Sequence, residues 1–175
     1  MLVYQASFVQ AAREHRAADE PCHAVLLDAD EATFAEWVAR LADESRGVGL
    51  PAGFVPFTTN WLVRGSEYVA TSRTRHYLSP SLKIEKGHIG NDVRPSARRQ
   101  GNGILLPRLT LERTRALGFE LVLVSCDVAS VGSAGVIENN GGRRESRVIS
   151  PARGILISRY WIDFSCDGAR DRAAD

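Results

Sequence analysis

Little in this chain of 175 residues could build a metal centre or a disulfide frame. There are three cysteines, Cys22, Cys126 and Cys166, and four histidines, His15, His23, His76 and His88. Three cysteines cannot form a closed disulfide set, and none stands in a Cys-x-x-Cys spacing. The histidines are scattered, so no metal site is expected. Lysine occurs only at Lys83 and Lys86, which leaves arginine as almost the sole source of positive charge. With 22 basic against 21 acidic residues the net charge is +1, and no broad field favours nucleic acid or a membrane surface. No apolar run approaches the length of a membrane span, and no secretory pattern opens the chain. A reduced, cytoplasmic compartment is the expectation.

What is present suits one folded domain. An apolar share of 44% and a charged share of 25% are ordinary for a globular chain of this length. The domain is expected over residues 1–164, with 165–175 a small, polar, flexible C-terminal tail. Tyr4, Phe8, Ala11 and Ala12 form one helical stripe over residues 4–18. Asp30-Glu31 offers a cap to a second helix, whose Phe34, Trp37, Val38 and Leu41 have the spacing of a buried face. That helix is expected to end near Gly47. Strand-like runs follow at 58–63 and 68–77, joined by a turn at Arg64-Gly65-Ser66. Residues 78–86 read as irregular. A strand at 88–93, a helix at 104–117 and a short apolar strand at 120–127 come next. A helix at 130–140 and strands at 143–149 and 154–164 complete the order, which predicts an α/β fold with one mixed sheet.

The most informative stretch is Val93-Arg94-Pro95-Ser96-Ala97-Arg98-Arg99-Gln100-Gly101-Asn102-Gly103-Ile104. It reads as a strand end, a basic loop and the first turn of a helix. Gly101 and Gly103 let the backbone come close to a ligand. The first N–H groups of a helix have no internal partner and attract anions, and Arg98 and Arg99 add charge there. Such a loop suits a phosphate or pyrophosphate. No third glycine completes a dinucleotide fingerprint, and no Gly-Lys-Ser/Thr completes a nucleotide-triphosphate loop.

The segment from Arg98 to Gly103 resembles the Gln/Arg-x-x-Gly-x-Gly/Ala signature of the GNAT superfamily of N-acetyltransferases. Fragments along most of the chain are similar to a group of predicted acetyltransferases within it: 57–63, 75–78, 87–90, 125–127, 136–142 and 159–162. The resemblance implies a GNAT-like single domain, with a mixed, mostly antiparallel central sheet, splayed central strands and flanking helices. It implies acetyl-CoA as co-substrate, a primary amine of a small molecule or peptide as acceptor, and direct transfer through a ternary complex. It also admits a homodimer. By the same resemblance Asp92, Val93, Arg98, Arg99, Gln100, Gly101, Asn102, Gly103 and Ile104 contact the cofactor, as do Ser130 and Ser133 at the start of a later helix. A backbone N–H near Asp92 or Val93 would polarise the thioester carbonyl.

For the base, strand alternation sets His88, Gly90 and Asp92 on one face, so His88 and Asp92 are the candidates, the latter through a water. Each also has a structural reading: His88 bonded to a neighbouring loop, Asp92 paired with Arg94 or Arg98. Departures from the family pattern are Ser130 for an Asn, Asn91 for an aromatic and Ile137 for the Tyr that would protonate the leaving thiolate. Together they motivate a second reading, a catalytically degenerate CoA-binding sensor or interaction module. Pro107, inside the expected helix, should bend it. Cys126 reads as a buried thiol, the three tryptophans as packing, and Arg143, Arg144 and Arg147 as a solvated strand face.

Overall fold

Local signals set most element boundaries. The computed structural model describes residues 2–21 and 26–165. Cys22, His23 and Cys166 lie outside them, as does the expected tail beyond Ser165. After a short 3-10 turn, helix α1 (Gln5–Ala17) buries Phe8, Ala11, Ala12 and His15. Helix α2 (Glu31–Arg46) opens where Asp30 accepts the Thr33 N–H at 2.8 Å and ends at Gly47, whose φ of 78° is the left-handed geometry of a helix stop. Strands β1 (Phe57–Arg64) and β2 (Glu67–Arg75) follow.

Residues 80–85 depart from the expectation of an irregular segment. Helix α3 (Pro80–Glu85) forms there because Ser79 accepts the Leu82 N–H at 3.4 Å and Pro80 suits a first helical turn. Strand β3 (Ile89–Val93), a 3-10 turn at Pro95–Ala97 and helix α4 (Asn102–Ala116) frame the basic loop. Pro107 lies inside α4, so the Gly103 carbonyl has no helical N–H four residues on. Then come β4 (Leu121–Asp127), α5 (Val131–Asn139), β5 (Arg143–Ile149) and β6 (Leu156–Asp163).

The strands form two three-stranded sheets, ordered β1-β2-β3 and β4-β6-β5, instead of one continuous sheet. The link to β4 is an isolated antiparallel bridge between Gly87, just before β3, and Val124. The α/β class, the antiparallel pairing and the flanking helices are those expected, while the division into two sheets departs from the single mixed sheet predicted.

By internal packing the chain divides into two units. The first comprises residues 1–73 and 91–106. Its core is aromatic: Phe8 lies 4.7 Å from Trp37, 4.8 Å from Tyr68 and 5.2 Å from Trp61, ring centre to ring centre. Each such ring removes about 150–250 Å² from water, which makes this cluster the main source of the unit's cohesion. A smaller group, Val69, Ala70, Ala97 and Leu106 with Leu62 and Val93, packs under the basic loop.

The second unit comprises residues 74–90 and 107–175. The β4–β6 register sets Val122 opposite Ile162 and Val124 opposite Tyr160. These four, with Ile89, Leu111 and Ile137, make its core. Arg143, Arg144 and Arg147 are exposed on β5, next to a bulge between Arg144 and Ser146. Gly87 is demanded by backbone: at φ 63°, a Cβ there would sit 2.3 Å from the Leu123 carbonyl oxygen.

Candidate functional site

Arg94 fixes the loop at its start. Although it reads as a surface cation, it is 8% exposed. Its Nε lies 3.0 Å from both carboxylate oxygens of Glu14, its Nη2 2.7 Å from Oε1, and its Nη1 3.1 Å from Ser7 Oγ. The Arg94 N–H donates to Val69 O at 3.0 Å, and the Ser96 N–H donates to Glu14 Oε2 at 3.1 Å. Hydrogen bonding from Arg94, helped by Ser96, holds the Glu14 carboxyl at about 2. A depressed carboxyl contributes stability above its ordinary range near 4.5 and loses it as pH falls toward 2. This anchor therefore holds at neutral pH.

Beyond the anchor the main chain changes character. The N–H groups of Ala97 and Arg98 close the 3-10 turn, and those of Ile104 and Leu105 both donate to Gly101 O. Between them, the five consecutive N–H groups of Arg99, Gln100, Gly101, Asn102 and Gly103 have no hydrogen-bond partner among the described residues. The sign of φ alternates there, with Arg99 at 60° and Gly101 at 82°. Alternation of this kind turns successive N–H groups into a concave nest for an anion. A left-handed arginine costs about 1 kcal/mol or more, a strain typical of ligand-binding loops.

Side chains hold this shape. The Asn102 amide is buried and donates to Ala97 O at 2.8 Å, and Gln100 Nε2 donates to Ser96 O at 2.8 Å. A Cβ at Gly101 or Gly103 would meet nothing within 4 Å, so the space beside the nest is open. Ile104 is 65% exposed next to it, and Val93 packs beneath.

Asp92 and Arg98 join through residues that sequence reading missed. Arg98 forms a fork on Glu20, Nη1 to Oε1 at 2.7 Å and Nη2 to Oε2 at 2.6 Å, while its Nε donates to Val93 O at 3.0 Å. Glu20 also lies 2.9 Å from His15 Nδ1, and its carboxyl is held at about 2, chiefly by Arg98. His15 Nε2 is 3.6 Å from Asp92 Oδ2. Asp92 thus pairs with neither Arg94 nor Arg98. Its side chain remains about half exposed, and partial burial pushes its carboxyl up against the pull of His15 and Arg98. One signal could have found His15: it continues the inward stripe of Phe8, Ala11 and Ala12.

In the second unit His88 is buried, and its Nδ1 accepts the Leu123 N–H at 2.9 Å. Its own N–H donates to Leu123 O at 2.7 Å, so His88 fastens the bridge to β4. Desolvation, with Arg75 nearby, lowers its pKa and favours the neutral ring. With Nδ1 accepting, the ring proton is on Nε2. Ser130 donates to Ser133 Oγ at 2.8 Å at the start of α5, where the Gly132 and Ser133 N–H groups have no partner among the described residues. Ile137 is spent on the core. Burial pushes the Cys126 thiol up, which disfavours a reactive thiolate. No group of residues that could hold a metal occurs among the described residues, and no helix among them is long and apolar enough to cross a membrane.

No protein-family profile matches the chain, and no curated protein does. Solved structures do. RimL, a ribosomal L7/L12 alpha-N-protein acetyltransferase in complex with coenzyme A, is 15% identical, with a TM-score of 0.61 over 94% of this chain and 92% of that one. The yncA protein of Salmonella typhimurium, a candidate acetyltransferase with its cofactor acetyl-CoA, is 11% identical, with a TM-score of 0.59 over 91% and 90%. A mutant of spermidine N-acetyltransferase SpeG from Vibrio cholerae is 10% identical, with a TM-score of 0.61 over 95% of each chain. At these identities the likeness is one of fold.

Proposed function

We propose that this chain, which has the fold of the GNAT N-acetyltransferases, transfers the acetyl group of acetyl-CoA directly to a primary amine of a small molecule or peptide. The run of five unpartnered N–H groups from Arg99 to Gly103 carries the reading. A pyrophosphate has oxygens enough to use so many donors at once, and the fold neighbours RimL and yncA hold CoA and acetyl-CoA. The Arg99 side chain, exposed beside the nest, supplies the countercharge. Gln100, Asn102 and Arg98 keep the loop in shape, and Val93 and Ile104 flank it. In the second unit, the Ser130–Ser133 pair and the N–H groups of Gly132 and Ser133 are the cofactor contact that the family resemblance implies.

The thioester supplies an activated acetyl group, so no residue need form a covalent bond to it. What the chain must supply is a donor at the carbonyl and a route for the amine's proton. Main-chain N–H at Asp92 or Val93 is assigned the first task. For the second we favour Asp92, acting through a water, over His88. The carboxylate of Asp92 is accessible, whereas His88 has its free electron pair engaged by the Leu123 N–H.

The test is calorimetry with acetyl-CoA, followed by free-thiol release over a panel of amines. We expect saturable binding below about 1 mM and thiol release with at least one amine. Absence of binding at that concentration would overturn the reading. Ile137, buried where the family resemblance calls for a tyrosine, favours a second reading, a CoA-binding module without catalysis. Tight binding with no thiol release would select it.

A further inference from the structure

His15 belongs to a closed circuit in the first unit. Its Nδ1 faces Glu20 at 2.9 Å and its Nε2 faces Asp92 at 3.6 Å. Glu20 takes both terminal nitrogens of Arg98, and Arg98 Nε returns to Val93 O, the carbonyl one residue after Asp92. A ring hydrogen-bonded at Nδ1, in longer charge contact at Nε2 and 7% exposed is restricted in its orientation. Packing alone accounts for Arg98 and Glu20 as a staple across the loop. It does not account for Asp92, whose half-exposed carboxylate could equally turn to water.

We infer that His15 is a positioning residue, which aims the Asp92 carboxylate and, through Glu20 and Arg98, ties it to the loop that holds the pyrophosphate. The inference rests on the acetyltransferase reading. The circuit lets one rigid frame set both the anion nest and the proton acceptor. The proton that leaves the amine passes through a water to Asp92 and from there to solvent. The charged and titratable groups acting on Asp92 are His15 from α1, Glu20 beyond it, Arg98 from the loop, and Arg73 and Tyr68 from β2.

Two substitutions separate the arms of the ring. His15→Asn places an amide where Nδ1 stands, keeping the bond to Glu20 and withdrawing from Asp92. His15→Gln extends an amide toward Asp92. In His15→Asn we expect kcat/KM for the amine to fall roughly tenfold, with acetyl-CoA affinity within about twofold of the parent. Because the His15 ring lowers the Asp92 pKa, its removal raises it, so the acid limb of the kcat/KM profile moves to higher pH. His15→Gln recovers part of the rate. An unmoved acid limb, or equal losses in the two variants with cofactor affinity lost in step, overturns the inference.

The Asp92 carboxyl can also be titrated directly by carbon-13 NMR without acetyl-CoA. Its midpoint should rise in His15→Asn, and a midpoint equal to the parent's overturns the positioning role even if the chain proves to have no transferase activity. Should His15→Asn not fold, His15→Gln carries the same titration. It too is uncharged, and its midpoint should lie above the parent's.

Discussion

Gly101→Glu is expected to abolish acetyl-CoA binding while the protein stays folded. The position is exposed and a Cβ there meets nothing within 4 Å, so the new side chain displaces no packing. What it does is place a carboxylate at the mouth of the amide nest, where the pyrophosphate charge would be. At φ 82° any L-residue also carries a conformational cost of about 1–2 kcal/mol, enough by itself to weaken the nest. Gly101→Ala carries the same cost without the charge and is therefore the control. We expect about tenfold weaker binding for alanine and at least about a hundredfold for glutamate, close to 3 kcal/mol. Calorimetry distinguishes them. Equal affinity of the two variants would mean that no anion sits at the loop.

Gly87→Ala is expected to act on stability. At φ 63° the added Cβ would stand 2.3 Å from the Leu123 carbonyl oxygen and 2.8 Å from its carbon, both backbone atoms. Neither can swing aside, because Leu123 is wholly buried and its N–H and C=O are both bonded to His88. Relief requires opening the Gly87–Val124 bridge and freeing the His88 ring. Left-handed strain, a lost bridge and a lost buried hydrogen bond sum to roughly 3–4 kcal/mol. For a chain of this length that lowers the melting temperature by about 10 °C. Thermal denaturation followed by circular dichroism reads it. A melting point within a degree of the parent's would show that the bridge is not under the constraint described.

Local chemistry explains why some features could be read in the sequence. The nest depends on two glycines and a helix start within one short stretch, so a candidate anion loop and its approximate bounds were legible in Arg98–Ile104. Asp30 and Gly47 announced α2 for the same reason. Helix α3 was missed although Ser79-Pro80 is a good opening, because six residues are too few for an apolar period to register.

Long-range pairing left no such trace. Arg94 looked like part of the basic loop, yet its partner is Glu14, 80 positions away. Asp92 was matched with its nearest arginines, but Glu14 and Glu20 hold those, and Asp92 faces His15. Division of the sheet was equally hidden, since it turns on where Gly87 bridges to Val124 and not on strand propensity.

The central claim is that the main-chain N–H groups of Arg99 to Gly103 bind the pyrophosphate of acetyl-CoA. Titrating nitrogen-15-labelled protein with acetyl-CoA and following those five amide resonances tests it most directly. The account predicts that they shift together, saturate at the calorimetric affinity and exchange with solvent more slowly in the complex. Cofactor binding that leaves all five unmoved would contradict it.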